Sequence, residues 1–188
     1  MRDPVRFLYR VASAAFLVMA LCPPARAASP EDHPAVPAIL ARAESLFQSM
    51  KARDYPAIFA ALSAKSRETI VAETSSALAA AAKQAHRGMP TAADVPPAPA
   101  GDPAPGPDAV RRDFVAGGPI ARDYWDAFLR RFDPDAALEH SRWEIGSVGK
   151  DRAEILLTHH GADHPATLKM FREDGGWKAG LAETFWSR

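Results

Sequence analysis

The feature that most constrains this chain is a period-two alternation over its C-terminal end, roughly Trp143 to Trp186. Successive side chains of a strand point to opposite faces, so alternation predicts strands, and an apolar face predicts something packed upon it. Between Ala153 and His160, Ala153, Ile155, Leu157 and His159 share one face, while Glu154, Leu156, Thr158 and His160 share the other. After a loop at 161–164 and Pro165, Ala166, Leu168 and Met170 repeat the drier face. Asp174-Gly175 is a two-residue hairpin signal, because a type I′ turn needs positive φ at both central positions. That turn sets Met170 opposite Ala179, Leu168 opposite Leu181 and Ala166 opposite Glu183, which brings Trp177 onto the same face. A four-residue loop at 161–164 then sets His159 opposite Ala166, so that His159, Ala166 and Glu183 form one row across three strands. An earlier strand, Trp143 to Val148, is expected to turn Trp143 and Ile145 inward; its register depends on the Gly149-Lys150-Asp151 turn.

Residues 1–27 read as a signal peptide. Arg2, Arg6 and Arg10 form a basic start, Val11 to Leu21 an apolar segment too short to span a bilayer, and Ala25-Arg26-Ala27 a small-residue cleavage site. The chain is therefore expected to be exported, into the periplasm, with no membrane span. Cys22 raises a lipoprotein reading, but Leu21 is bulky where a small residue precedes a lipidated cysteine, so cleavage after Ala27 is preferred. What remains has no cysteine and cannot use a disulfide even in an oxidising compartment. It also loses four Arg against one Asp, and a mildly acidic chain is a poor nucleic-acid binder. Residues 28–188 are long enough for one core and are expected to form a single domain.

Ahead of the strands the chain reads as helix. Pro37 in a first turn opens a helix from Val36 to Lys51, with Val36, Ile39, Leu40, Ala43, Phe47 and Met50 as its buried stripe. Asp54 caps a short second helix carrying Ile58, Phe59 and Leu62, and Ser63 and Ser66 are turn and cap residues before a third helix running to about His86. Residues 88–108 hold seven prolines and almost no large apolar side chain. Such a stretch cannot repay its ordering entropy and is expected to be a disordered insertion. Pro119 to Phe132 is the most aromatic helix and is expected to be the main lid on the sheet; Asp135 to Glu139 add a turn. The fold class is α+β, with N-terminal helices packed on a curved C-terminal antiparallel sheet of three to four strands.

The segments "SLFQSMKARDYPAIFAALSAKSRETI" near the start, and "KDRAEILLTHHG" followed by "ATLKMFREDGGWKAGL" near the end, carry a resemblance. The chain resembles exported members of the nuclear-transport-factor-like superfamily over about Val36 to Phe185, interrupted by the proline-rich insertion. The resemblance implies a curved antiparallel sheet wrapped around helices into a cone with a pocket. Enzyme members of that superfamily commonly use an Asp and a His in the cone, but no local motif here carries those residues across, and fold-level likeness alone assigns no chemistry.

Three groups of residues bear on function. His159 and Glu183 are the candidate acid–base pair, since a carboxylate beside an imidazole orients the ring and favours its charged form. Trp125, Phe128, Met170 and Trp177 are the candidate lining of an apolar pocket, or else core. His160, Asp163 and His164, in "THHGADH", are candidate metal ligands, although a solvated hairpin tip explains them as well. Arg130 and Arg131 end an aromatic helix, where they oppose its dipole on a solvated face. There is no G-x-S-x-G, no phosphate-cradling glycine loop, and no cofactor is expected. The reading that results is a non-catalytic exported domain that binds a small apolar ligand in its cone or a protein partner on its sheet. An isomerase- or dehydratase-type acid–base enzyme is the alternative.

Overall fold

The computed structural model describes residues 29–87 and 104–185. The expected signal peptide, Cys22, Trp186 and most of the proline-rich insertion lie outside the described residues. The fold is α+β: helices lead into a four-stranded antiparallel sheet of order β1-β2-β3-β4. The elements are α1 (Val36–Lys51), α2 (Tyr55–Ala61), α3 (Ala64–Arg87), α4 (Pro107–Ala116), α5 (Pro119–Leu129), α6 (Pro134–Glu139), β1 (Ser141–Val148), β2 (Arg152–His159), β3 (Ala166–Glu173), β4 (Gly176–Ala179) and α7 (Leu181–Phe185). Among the described residues no helix is long and apolar enough to cross a membrane.

Local chemistry accounts for most of the boundaries. The Asp54 side chain accepts from the Ala57 amide at 3.1 Å and opens α2, and Asp133 does the same for α6 through the Asp135 amide at 2.9 Å. Helix α1 closes in a Schellman motif, with Arg53 N–H donating to the Met50 carbonyl and Asp54 N–H to that of Ser49. Its left-handed residue is Arg53, at φ 55°. In the β3–β4 hairpin Asp174 and Gly175 take φ 51° and 76°, the positive pair that a type I′ turn requires.

One element escapes the pattern of the sequence. Helix α4 begins at Pro107, so 107 and 108 belong to a helix and not to the insertion, and it buries Val110 and Phe114 completely. The following α5 starts at Pro119 after Gly118, which has no side chain to cap it. Asp113, one turn from the end of α4, supplies the missing acceptor by taking the Ala121 amide at 2.8 Å.

The sheet's inner face is the expected one. Ala153, Ile155, Leu168, Met170, Trp177 and Ala179 are buried there, and Ile145 lies opposite Ile155. A bulge between Ile145 and Ser147 puts three residues of β1 against two of β2, so Val148 returns to the inner face opposite Ala153. Trp143 points inward, its ring edge-on to Phe47 at 5.4 Å and its Nε1 donating to the Ala137 carbonyl.

Two expectations change. The long helix lying directly on the sheet is α1, which packs on β4 and sends Phe47 onto β1, with the short α6 and α7 against β1, β2 and β3, whereas α5 packs on α4 and α2 as the next layer. Aromatic rings bridge those layers in sequence, Phe59 to Phe114, Trp125, Phe128, Phe132, Phe47 and Trp143. Each such pair contributes roughly 0.5–1.5 kcal/mol beyond its buried area.

The second change is that β4 stops at Ala179 and Leu181–Phe185 is helical, so Leu168 and Ala166 have no strand partners there. The edge of β3 is closed by other means: the Lys169 carbonyl accepts from Gly180 N–H at 2.8 Å, and the Lys169 amide donates to Thr184 Oγ1 at 3.1 Å. Capping an exposed strand edge with a helix in this way removes a template for aggregation. Gly180 makes the turn possible, because a Cβ there would fall 2.4 Å from the Phe171 ring.

Candidate functional site

Because β4 is half the length of β3, the inner face beyond Leu168 lacks a covering strand. A cavity of about 260 Å³ opens there, between the sheet end, the last turns of α1 and α5, α6 and α7. Phe47, Met50, Phe128, Phe132, Leu157, Leu168 and Leu181 form its walls. A more open hollow of about 510 Å³ adjoins it and shares Phe128, Arg131, Phe132 and Phe185. Phe185, at the shared border, is 55% exposed, one of the two large apolar side chains so exposed among the described residues.

The polar groups in the lining are few. Ser141 Oγ is engaged with the Ala136 carbonyl, Thr184 Oγ1 with the Lys169 amide, and Asp133 with the Asp135 amide. Arg131 and His159 are exposed at the mouth, and among the described residues neither side chain has a hydrogen-bond or ion-pair partner. Tyr124 lines the outer hollow, and burial, with a lesser contribution from Glu73, pushes its phenol up to about 12. It stays neutral at any physiological pH and contributes a hydroxyl, not a charge.

The four aromatic and sulfur residues named from the sequence separate. Phe128 lines the cavity and the hollow. Trp125 is completely buried between Phe114, Tyr124 and Phe128, with its Nε1 lacking a partner, and Met170 is completely buried in the sheet core. Trp177 is on β4, at a separate groove beside Arg42 and Lys178. Trp125, Met170 and Trp177 are absent from the cavity walls.

The expected row of His159, Ala166 and Glu183 does not form. The β2–β3 connection is longer than four residues, so Ala166 pairs with Leu157, and His159 pairs with Ser141 of β1. Glu183 is on α7, only 8% exposed, and turned toward α3. Its Oε1 accepts from Ser63 Oγ at 2.9 Å and its Oε2 from Ser66 Oγ at 2.6 Å. Ser66 Oγ in turn accepts from Ala182 N–H, and Ser63 Oγ caps α3 through the Ser66 amide. The carboxylate thus sits at a helix N-terminus, where the dipole favours it, and both its oxygens are occupied. It is a structural clasp between α3 and α7.

His160, Asp163 and His164 are all exposed at the tip of the β2–β3 connection. Among the described residues no group of three His, Cys, Asp or Glu side chains is placed to hold a metal ion.

The cavity's main features leave little local signal in the sequence. Arg131 was legible only as a dipole partner, although its place three residues after Phe128 and next to Phe132 sets a cation beside an aromatic stripe. The walls supplied by Phe47, Leu168 and Leu181 follow from α7 replacing a strand. No protein-family model, no curated protein and no solved structure matches this chain.

Proposed function

We propose that this is an exported, periplasmic, non-catalytic domain that binds a small apolar ligand. The observation that carries the reading is the cavity itself, an apolar concavity open at one end and bordered by few polar groups, which is how small-molecule sites are usually built. The nuclear-transport-factor-like cone is part of the same proposal. It is supported by helices preceding an antiparallel sheet, by the β1 bulge, which bends a strand, and by a cavity between the sheet's inner face and the helices. Against the acid–base alternative, Glu183 has both oxygens engaged by serines and is not among the cavity's lining residues.

The test is binding of an apolar fluorescent dye to the secreted protein, in wild type and in Ala166→Trp. Ala166 is exposed at the cavity's edge, so an indole there fills the mouth without disturbing the core. Saturable binding lost in that variant is expected, and dye binding that ignores the substitution removes the cavity from consideration. N-terminal sequencing of exported material should begin at about Ala28; a lipid-modified Cys22 would replace that boundary.

A further inference from the structure

We infer that the ligand is a single-chain amphiphile with an anionic head, its tail in the cavity and its head on the Arg131 guanidinium. The inference rests on the reading of the cavity as a binding site and specifies what it takes. Arg131 lies where the inner cavity and the outer hollow meet, so a head held there leaves a tail free to enter the apolar space.

Among the described residues neither Arg131 nor the adjacent Arg130 has a side-chain partner, and of the two only Arg131 lines both the cavity and the hollow. Lys51 is paired with Asp135 and Glu139, Arg53 with Asp126, and Arg142 with Glu144. A guanidinium presents a planar fork that matches carboxylate, sulfate and phosphate oxygens, and such charge-assisted bonds are about twice as strong as neutral ones. The apolar walls beside it lower the local dielectric and strengthen the pairing.

The competing charge at the mouth is Asp133, which would favour a cationic head. Its carboxylate, however, is turned to its own helix, where it accepts the Asp135 amide. His159, also without a partner, can donate a second hydrogen bond to an anion. Phe185 supplies a separate observation: an exposed phenyl ring at the border of both spaces gains burial when an alkyl chain lies beneath it.

The experiment is isothermal titration of the mature protein with decanoate, decyl sulfate, decanol and decyltrimethylammonium, each below its micelle concentration. Wild type, Arg131→Gln and Ala166→Trp are compared. The anionic probes should bind most tightly, and Arg131→Gln should weaken them about tenfold or more, since a charged hydrogen bond is worth roughly 1.5–3 kcal/mol, while decanol is unaffected. Ala166→Trp should weaken all the probes together. Binding of decanoate alone, or of decanoate and decyl sulfate alike, supports the inference and separates carboxylate selectivity from general anion recognition. Equal affinity for decanol or decyltrimethylammonium, or an Arg131→Gln protein that binds decanoate as tightly as wild type, overturns the anionic head and leaves the cavity reading standing. Failure of every probe to bind overturns both.

Discussion

Helix α7 faces α3 with one side and the cavity with the other, and the two sides treat polar groups in opposite ways. Toward α3, Glu183, Ser63 and Ser66 are buried, and every oxygen in the cluster has a partner. Toward the cavity, Leu181, Thr184 and Phe185 meet an apolar space at whose mouth the side chains of Arg131 and His159 have no partner among the described residues. A buried polar cluster with its bonds complete holds a fold together. An open apolar surface beside an unpaired charge contributes little to folding and is available for binding. The difference separates a conspicuous acidic residue that is structural from an inconspicuous arginine that is not.

The contrast should appear first in stability. Glu183→Ala strands two buried hydroxyls and removes an anion from a helix N-terminus, and should cost about 3 kcal/mol. That corresponds to roughly 6–12 °C in melting temperature for a chain of this size. A loss under 1 kcal/mol by urea unfolding would break the distinction. Ser66→Ala keeps the carboxylate but removes one donor to it and the acceptor for Ala182 N–H, and should cost about 1–2 kcal/mol. On the other side, Arg131→Gln should change stability by no more than about 0.5 kcal/mol, as exposed substitutions do. If it destabilises as much as Ser66→Ala, Arg131 belongs to the fold after all. The smallest effect is Tyr124, with no consequence at neutral pH. Burial favours its neutral form, so the unfolded chain loses this proton near pH 10 while the folded chain keeps it to about 12. Stability should therefore fall as pH rises through that window, and less so in Tyr124→Phe. A phenolate absorbance already complete at pH 10 would contradict it.

Much of the fold was legible because its signals are local. The α1 stripe, the Asp54 cap, the inner-face residues of β2 and β3 and the Asp174-Gly175 turn each depend on a few neighbouring residues, and each is found where the pattern put it, except that Leu46 is fully buried in the stripe where Leu40 is only half-buried, and that His159 and Ala166 at the open end of the sheet are exposed. Helix α4 was not legible: its short polar sequence buries only Val110 and Phe114, and it follows a proline-rich stretch that resembles loop. Of the cavity, Phe128 was named, whereas Trp125 and Met170 are core and Trp177 lies at another groove. An aromatic on an apolar face reads the same whether the space before it is filled or open.

The sequence by itself determined the class, α+β with helices before an antiparallel sheet, because hydrophobic period, caps and turn residues are properties of short segments. Tertiary structure decided where β4 ends. Alternation continues through Leu181 and Glu183, yet the chain becomes helical there. Gly180 crosses tightly over Phe171, Thr184 closes the edge of β3, and Glu183 finds two serines at the start of α3, more than a hundred residues away in sequence. No local pattern encodes partners that distant, and the same choice that ended the strand left the cavity beside it open.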